Sequence, residues 1–138
     1  MLIGVILIVI ISFLLNYSEF PLLYYIENGV NAVMVRATLA ELQAETCLTF
    51  KEIPGTIETK SGIIFYKGNG CYSQLGKQGI KTWQIVSLGD ECMRIQKIQH
   101  EILHALGFFH EHSRIDRNEH LYIFPKNIRR GYRDDSQL

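Results

Sequence analysis

The sequence predicts one mixed α/β (α+β) domain, and three observations carry that prediction. Apolar residues recur at helical spacing between Val33 and Thr46. Short β-branched and aromatic runs, separated by glycine and by Pro54-Gly55, recur between Leu48 and Leu88. A second helical stretch, Glu91 to Leu106, lies between Asp90 and Gly107. A chain of 138 residues fits a single domain with room for a core.

In chain order, Met1–Leu15 comes first and carries no charge; 13 of its residues are apolar, and the first charged side chain is Glu19. As a helix, fifteen residues span about 22 Å, short of the roughly 30 Å hydrocarbon core, which favours the apolar region of a signal peptide over a membrane span. The segment has neither a basic start nor a small-residue end. Residues 1–18 are therefore expected to be a signal peptide or a membrane anchor. Either one places the rest of the chain outside the cytosol, secreted or attached to a membrane through residues 1–15.

Leu22 to Ile26 is a short apolar run ending at the Asn28-Gly29 turn signal, and reads as a strand. Val35, Leu39 and Leu42 then recur at i, i+4 and i+7. Val33, Ala37, Ala40 and Ala44 beside them give a wide apolar helix face as far as Thr46. Leu48–Ile53, Ile63–Lys67, Cys71–Ser73 and Gln84–Leu88 read as further strands of one sheet. The second helix follows, with Asp90 as the expected N-cap and Gly107 as the stop.

Composition narrows the function classes. Fourteen Lys+Arg balance fourteen Asp+Glu, so no electrostatic footprint for nucleic acid exists, and Arg129-Arg130 is too short to make one. Gly68-x-Gly70 and Gly76-Lys77 fail the dinucleotide and P-loop patterns, and no G-x-S-x-G occurs. Three cysteines leave at least one without an intrachain disulfide partner.

The second helix carries the chemistry. Ile95, Ile98, Ile102 and Leu106 mark its core face, and His100 and His104 point away from that stripe, one turn apart. Both ring nitrogens can meet one ion at about 2.0 Å. Glu101 is one step round from His100. Gly107 can take positive φ and turn the chain back so that His110 reaches the same ion. Three imidazoles with an open position suit a catalytic zinc, although cobalt or copper could use the same ligands. His112 and His120 lie outside the ligand spacing and read as surface or hydrogen-bonding histidines.

His100-Glu101-Ile102-Leu103-His104-Ala105-Leu106-Gly107-Phe108-Phe109-His110-Glu111 resembles the long zinc signature of the metzincins, and the Arg114-x-Asp116-Arg117 that follows resembles the astacin branch. Phe20-Pro21, Tyr24-Tyr25-Ile26, Cys47-Leu48-Thr49-Phe50 and Gly70-Cys71-Tyr72-Ser73 are similar to astacin segments too, so the resemblance covers residues 20 to 133. It implies a metzincin-like upper subdomain: a twisted mixed sheet with two main helices, one of them the active-site helix. It implies a zinc endopeptidase acting on protein or peptide substrates. His100, His104 and His110 would hold one Zn2+ per chain, and Glu101 would serve as general base for the attacking water. Glu111 would receive an amino terminus freed by proenzyme cleavage. Cys71, Tyr72 and Ser73 would line the cleft as a sheet edge to which substrate adds as a strand. Cys71 and Cys92 would pair, leaving Cys47 unpaired. Astacins pair that cysteine with one near the end of the catalytic domain. The methionine turn and the tyrosine after it, which follow the zinc site in the family, have no counterpart up to Leu138. The stretch 19–138 is therefore expected to be an astacin-like catalytic domain incomplete at its C-terminus, the alternative being a truncated, non-catalytic zinc-binding secretory protein.

Overall fold

The structure is a computed structural model and describes residues 20–128. The segment 1–18 lies outside the described residues, as does Arg129-Arg130. The chain divides into two compact units at Phe108/Phe109.

Among the described residues, the first unit holds the sheet and two α-helices. In order these are β1 Leu22–Ile26, α1 Ala32–Glu45, β2 Phe50–Glu52, β3 Gly62–Tyr66, β4 Cys71–Ser73, β5 Trp83–Leu88 and α2 Ile95–Ala105. The strand order is β2-β1-β3-β5-β4. All neighbours are parallel except β4, which runs antiparallel to β5 along one edge. The sheet is therefore mixed, as the family resemblance implies. Parallel neighbours need crossover connections, and α1 is the one between β1 and β2.

Period-two alternation sets which side chains face the core. Register pairs Tyr24 with Ile63 and Ile63 with Gln84, and in the next inward row Ile26 with Phe65 and Phe65 with Val86. These rows join Val35, Leu39 and Leu42 of α1 and Ile98 and Ile102 of α2 in one core. Ile63, Phe65, Val86, Ile98 and Ile102 are fully buried.

β3 and β5 start one residue earlier than read, at Gly62 and Trp83, and three larger differences follow. The strand expected at Leu48–Ile53 is assigned only to Phe50–Glu52, although Leu22 N–H donates to Thr49 O and Ile53 N–H to Tyr24 O, continuing the ladder at both ends. On α1 the apolar face is narrower than expected. Val35, Thr38, Leu39 and Leu42 are buried, while Val33 is 75% exposed and Ala37, Ala40 and Ala44 face outward. Thr38 can sit inside because its hydroxyl donates to Met34 O at 2.9 Å, and the alanines suit an exposed face through helix propensity alone. Finally, Asp90 does not cap the second helix. Asp90–Cys92 forms a separate 3₁₀ turn, Arg94 is extended, and α2 starts at Ile95. Cys92 is fully buried and bonded to Cys71, so the chain must complete that turn before it can enter the helix.

Among the described residues no helix is long and apolar enough to cross a membrane. The described residues of the second unit form 3₁₀ turns at Glu111–Ser113, Arg117–Glu119 and Pro125–Asn127.

Candidate metal centre

The last turns of α2 place three of the residues singled out above. Ile98 and Ile102 anchor the helix in the core, which turns His100 outward and leaves His104 half-buried. Glu101 is only 6% exposed despite its charge. The helix stops where glycine permits: Gly107 takes φ +95°, its N–H donates to His104 O at 2.8 Å, and the Phe108 N–H donates to Leu103 O at 2.9 Å. That pair of bonds is the Schellman closure, which satisfies carbonyls the helix end would otherwise leave open.

The turn also settles the chemistry of His104. Its Nδ1 lies 2.7 Å from the carbonyl oxygen of Phe108, and a carbonyl can only accept, so Nδ1 carries the proton. The lone pair is therefore on Nε2, and that atom faces Nε2 of His100 at 2.9 Å. About 2.0–2.1 Å zinc–nitrogen bonds at tetrahedral angles separate two ligand nitrogens by about 3.3 Å. The two imidazoles thus converge at close to ligand spacing, and the Phe108 carbonyl holds the His104 ring in that orientation from behind. Of the three histidines that the sequence singles out, His100 and His104 belong to the first unit and His110 to the second. Borderline-soft neutral imidazoles are a donor set that zinc accepts.

Two further ties hold the helix end, and neither was foreseen from the sequence. Gly76 N–H donates to His104 O at 2.8 Å, and Gln84 Nε2 donates to Ala105 O at 2.7 Å within the core. Gln84 could have been flagged as the one amide in the Trp83–Leu88 strand, though nothing local names its acceptor.

The remaining predicted site residues are placed as follows. Cys71, Tyr72 and Ser73 form β4, which pairs only with β5 among the described strands. Tyr72 is 48% exposed and shares a hydroxyl–hydroxyl hydrogen bond with Tyr66. That bond is the main reason its phenol titrates above the usual range. Cys71 and Cys92 are joined by a disulfide, with Cα atoms 5.6 Å apart, and Cys47 is an exposed free thiol. In the second unit His110 stacks on His112 at 5.3 Å between ring centroids. Glu111 is exposed, with Oε2 3.6 Å from Arg114 Nη1, and His120 Nε2 lies 3.8 Å from Asp116 Oδ2.

Comparison with known proteins points one way. The family model described as Astacin, a peptidase family, matches residues 15–137. Zinc metalloproteinase nas-34 of Caenorhabditis elegans is 39% identical over 125 residues, covering 88% of this chain and 20% of the relative. Zinc metalloproteinase nas-6 of the same organism is 43% identical over 86 residues, covering 62% of this chain and 24% of that protein. Among solved structures, high choriolytic enzyme 1, a hatching enzyme zinc-protease from the medaka fish Oryzias latipes, superposes with a TM-score of 0.65 at 30% identity. That match covers 83% of this chain and 57% of the other. The chain thus spans about a fifth to a quarter of the two worm relatives' length and a little over half of the hatching enzyme.

Proposed function

The chain belongs to the astacin family of peptidases, and from that premise we propose that it carries the metal-binding and proton-transferring residues of a zinc endopeptidase acting on proteins or peptides. The observation that carries this reading is the convergence of His100 and His104 through their Nε2 atoms at 2.9 Å, with Glu101 buried between them in sequence on the same helix. His110, three residues beyond the Gly107 turn, completes the ligand set for one zinc per chain. Zinc, when bound, supplies a Lewis acid that polarises the scissile carbonyl and makes water acidic near neutral pH.

The protein's own groups do the rest. Glu101 accepts a proton from the attacking water and returns it to the leaving amine nitrogen, a transfer that needs a carboxylate held close and poorly solvated. The β4 edge offers backbone N–H and C=O groups to an extended peptide, with Cys71, Tyr72 and Ser73 along it. Glu111 receives the amino terminus released by proenzyme cleavage. Residues 1–18 direct the chain out of the cytosol as a signal peptide or hold it at the membrane as an anchor.

Two variants test this reading. The wild type is expected to hold about one zinc per chain by metal analysis, and His104→Ala to lose most of it; equal zinc in both would remove the site. Glu101→Gln keeps the shape of the side chain but cannot take the proton. It should therefore retain zinc while hydrolysing peptide about 10²- to 10⁴-fold more slowly. A fully active Gln variant would overturn the role assigned to Glu101.

A further inference from the structure

We propose that Gln84 is a positioning residue for the metal ligand His104, an inference that rests on the zinc-site reading above. Gln84 is 1% exposed and sits on β5, a strand with partners on both sides. It occupies the inward row that holds Ile63 and Tyr24. An apolar side chain would fill that place at less desolvation cost, so the amide calls for a specific partner.

That partner is Ala105 O, at 2.7 Å from Nε2. Of the last carbonyls of α2, Leu103 O is taken by Phe108 N–H, while His104 O receives both Gly107 N–H and Gly76 N–H. Ala105 O is met by the Gln84 amide instead of a backbone donor of that turn. The peptide unit so gripped lies between His104 and the Gly107 turn, and the turn delivers the Phe108 carbonyl to His104 Nδ1. A rigid strand is thereby coupled through one amide to the acceptor that sets the tautomer and angle of the imidazole. Gly76 reinforces the same point from the loop before β5: it takes φ +67°, and a Cβ built on it would meet Gly107 Cα at 3.5 Å. Loss of the Gln84 donor should loosen the turn, let the His104 ring tilt, and weaken metal binding without removing a ligand.

The test is the zinc dissociation constant of the full chain, measured by chelator competition. Gln84→Met, which keeps length but loses the donor, should bind zinc about tenfold or more weakly, in the range seen for supporting residues of metal sites. Its cobalt(II)-substituted form should show a shifted d–d absorption band. Tyr24→Phe is the matched control: it removes a hydrogen bond to Glu52 Oε2 two strands away and should leave both readouts unchanged. Unchanged affinity and spectrum in Gln84→Met would overturn the positioning role, as would an equal loss in Tyr24→Phe. No zinc binding by the wild type would instead sink the site itself. A measurement on the wild type covers the case in which Gln84→Met does not fold: a Gln84 side-chain amide proton should exchange far more slowly than those of the exposed Gln96, and exchange at the same rate would refute the buried bond.

Discussion

At the scale of single residues, ordinary acid–base chemistry decides what each side chain can do. His104 is fixed in one tautomer because its Nδ1 faces an atom that cannot donate. Asp116 is fixed in one charge state for a parallel reason. Arg114 donates to it through Nε at 2.8 Å and Nη2 at 2.7 Å, and this two-point grip is the main cause that pulls the carboxyl from its ordinary 3.8 down to about 2. A depressed carboxylate pKa stabilises the folded state most above the unfolded value. The contribution is therefore whole above pH 3.8 and disappears as pH falls through about 2. Carbon-detected NMR of Asp116 should show a midpoint near 2 in the wild type, and Arg114→Gln should raise it toward 3.8. A wild-type midpoint already at 3.8 would mean that the pair does not form in solution. The histidine pair was legible in the sequence because i, i+4 spacing on the face opposite Ile98 and Ile102 leaves those side chains little choice. Gln84 was not, since a hydrogen bond across 21 residues leaves no local mark.

Among elements, α2 shows which end of a helix can be read in advance. Its stop was legible because a chain that must turn back after Leu106 needs positive φ at the next residue, and glycine adopts it without strain. Its start was not. Asp90 has the chemistry of a cap, but the bond from Cys92 to Cys71 holds Asp90–Cys92 in a 3₁₀ turn, and Asp90 pairs instead with Lys67 at 2.8 Å. A covalent constraint outranks a preference worth about 1 kcal/mol. Stability should divide along the same line. Gly107→Ala forces a Cβ into a left-handed conformation and should cost about 1 kcal/mol or more in urea unfolding. Asp90→Ala removes only a surface ion pair and should stay within about 0.5 kcal/mol. Equal losses in the two variants would restore Asp90 as a cap.

Across the molecule, the sheet was legible in outline because β1, β3 and β5 carry runs of β-branched and aromatic residues, yet the edge is held by something a propensity scale does not weigh. β4 has three residues and one neighbour, too little ladder for an independent strand. Gly70 O, just before it, receives Ser87 Oγ–H at 3.0 Å and Gly89 N–H at 3.1 Å, while Cys71 is bonded to Cys92. The disulfide thus ties the proposed peptide-accepting edge to the turn that leads into α2. With a sequence separation of 21, the loop it closes corresponds to about 3 kcal/mol of unfolded-state entropy. Replacing both cysteines by alanine should lower the unfolding free energy by that amount under oxidising conditions, whereas Cys47→Ser, at an exposed thiol, should change it by less than about 0.5 kcal/mol. The two contributions to the edge can be told apart by size. If the double variant loses less than about 1 kcal/mol, the hydrogen bonds to Gly70 already constrain the segment and the disulfide adds little. If the full loss appears and the Tyr72 amide also exchanges faster while the β1 and β3 amides do not, the bond is what keeps this edge in register beside β5.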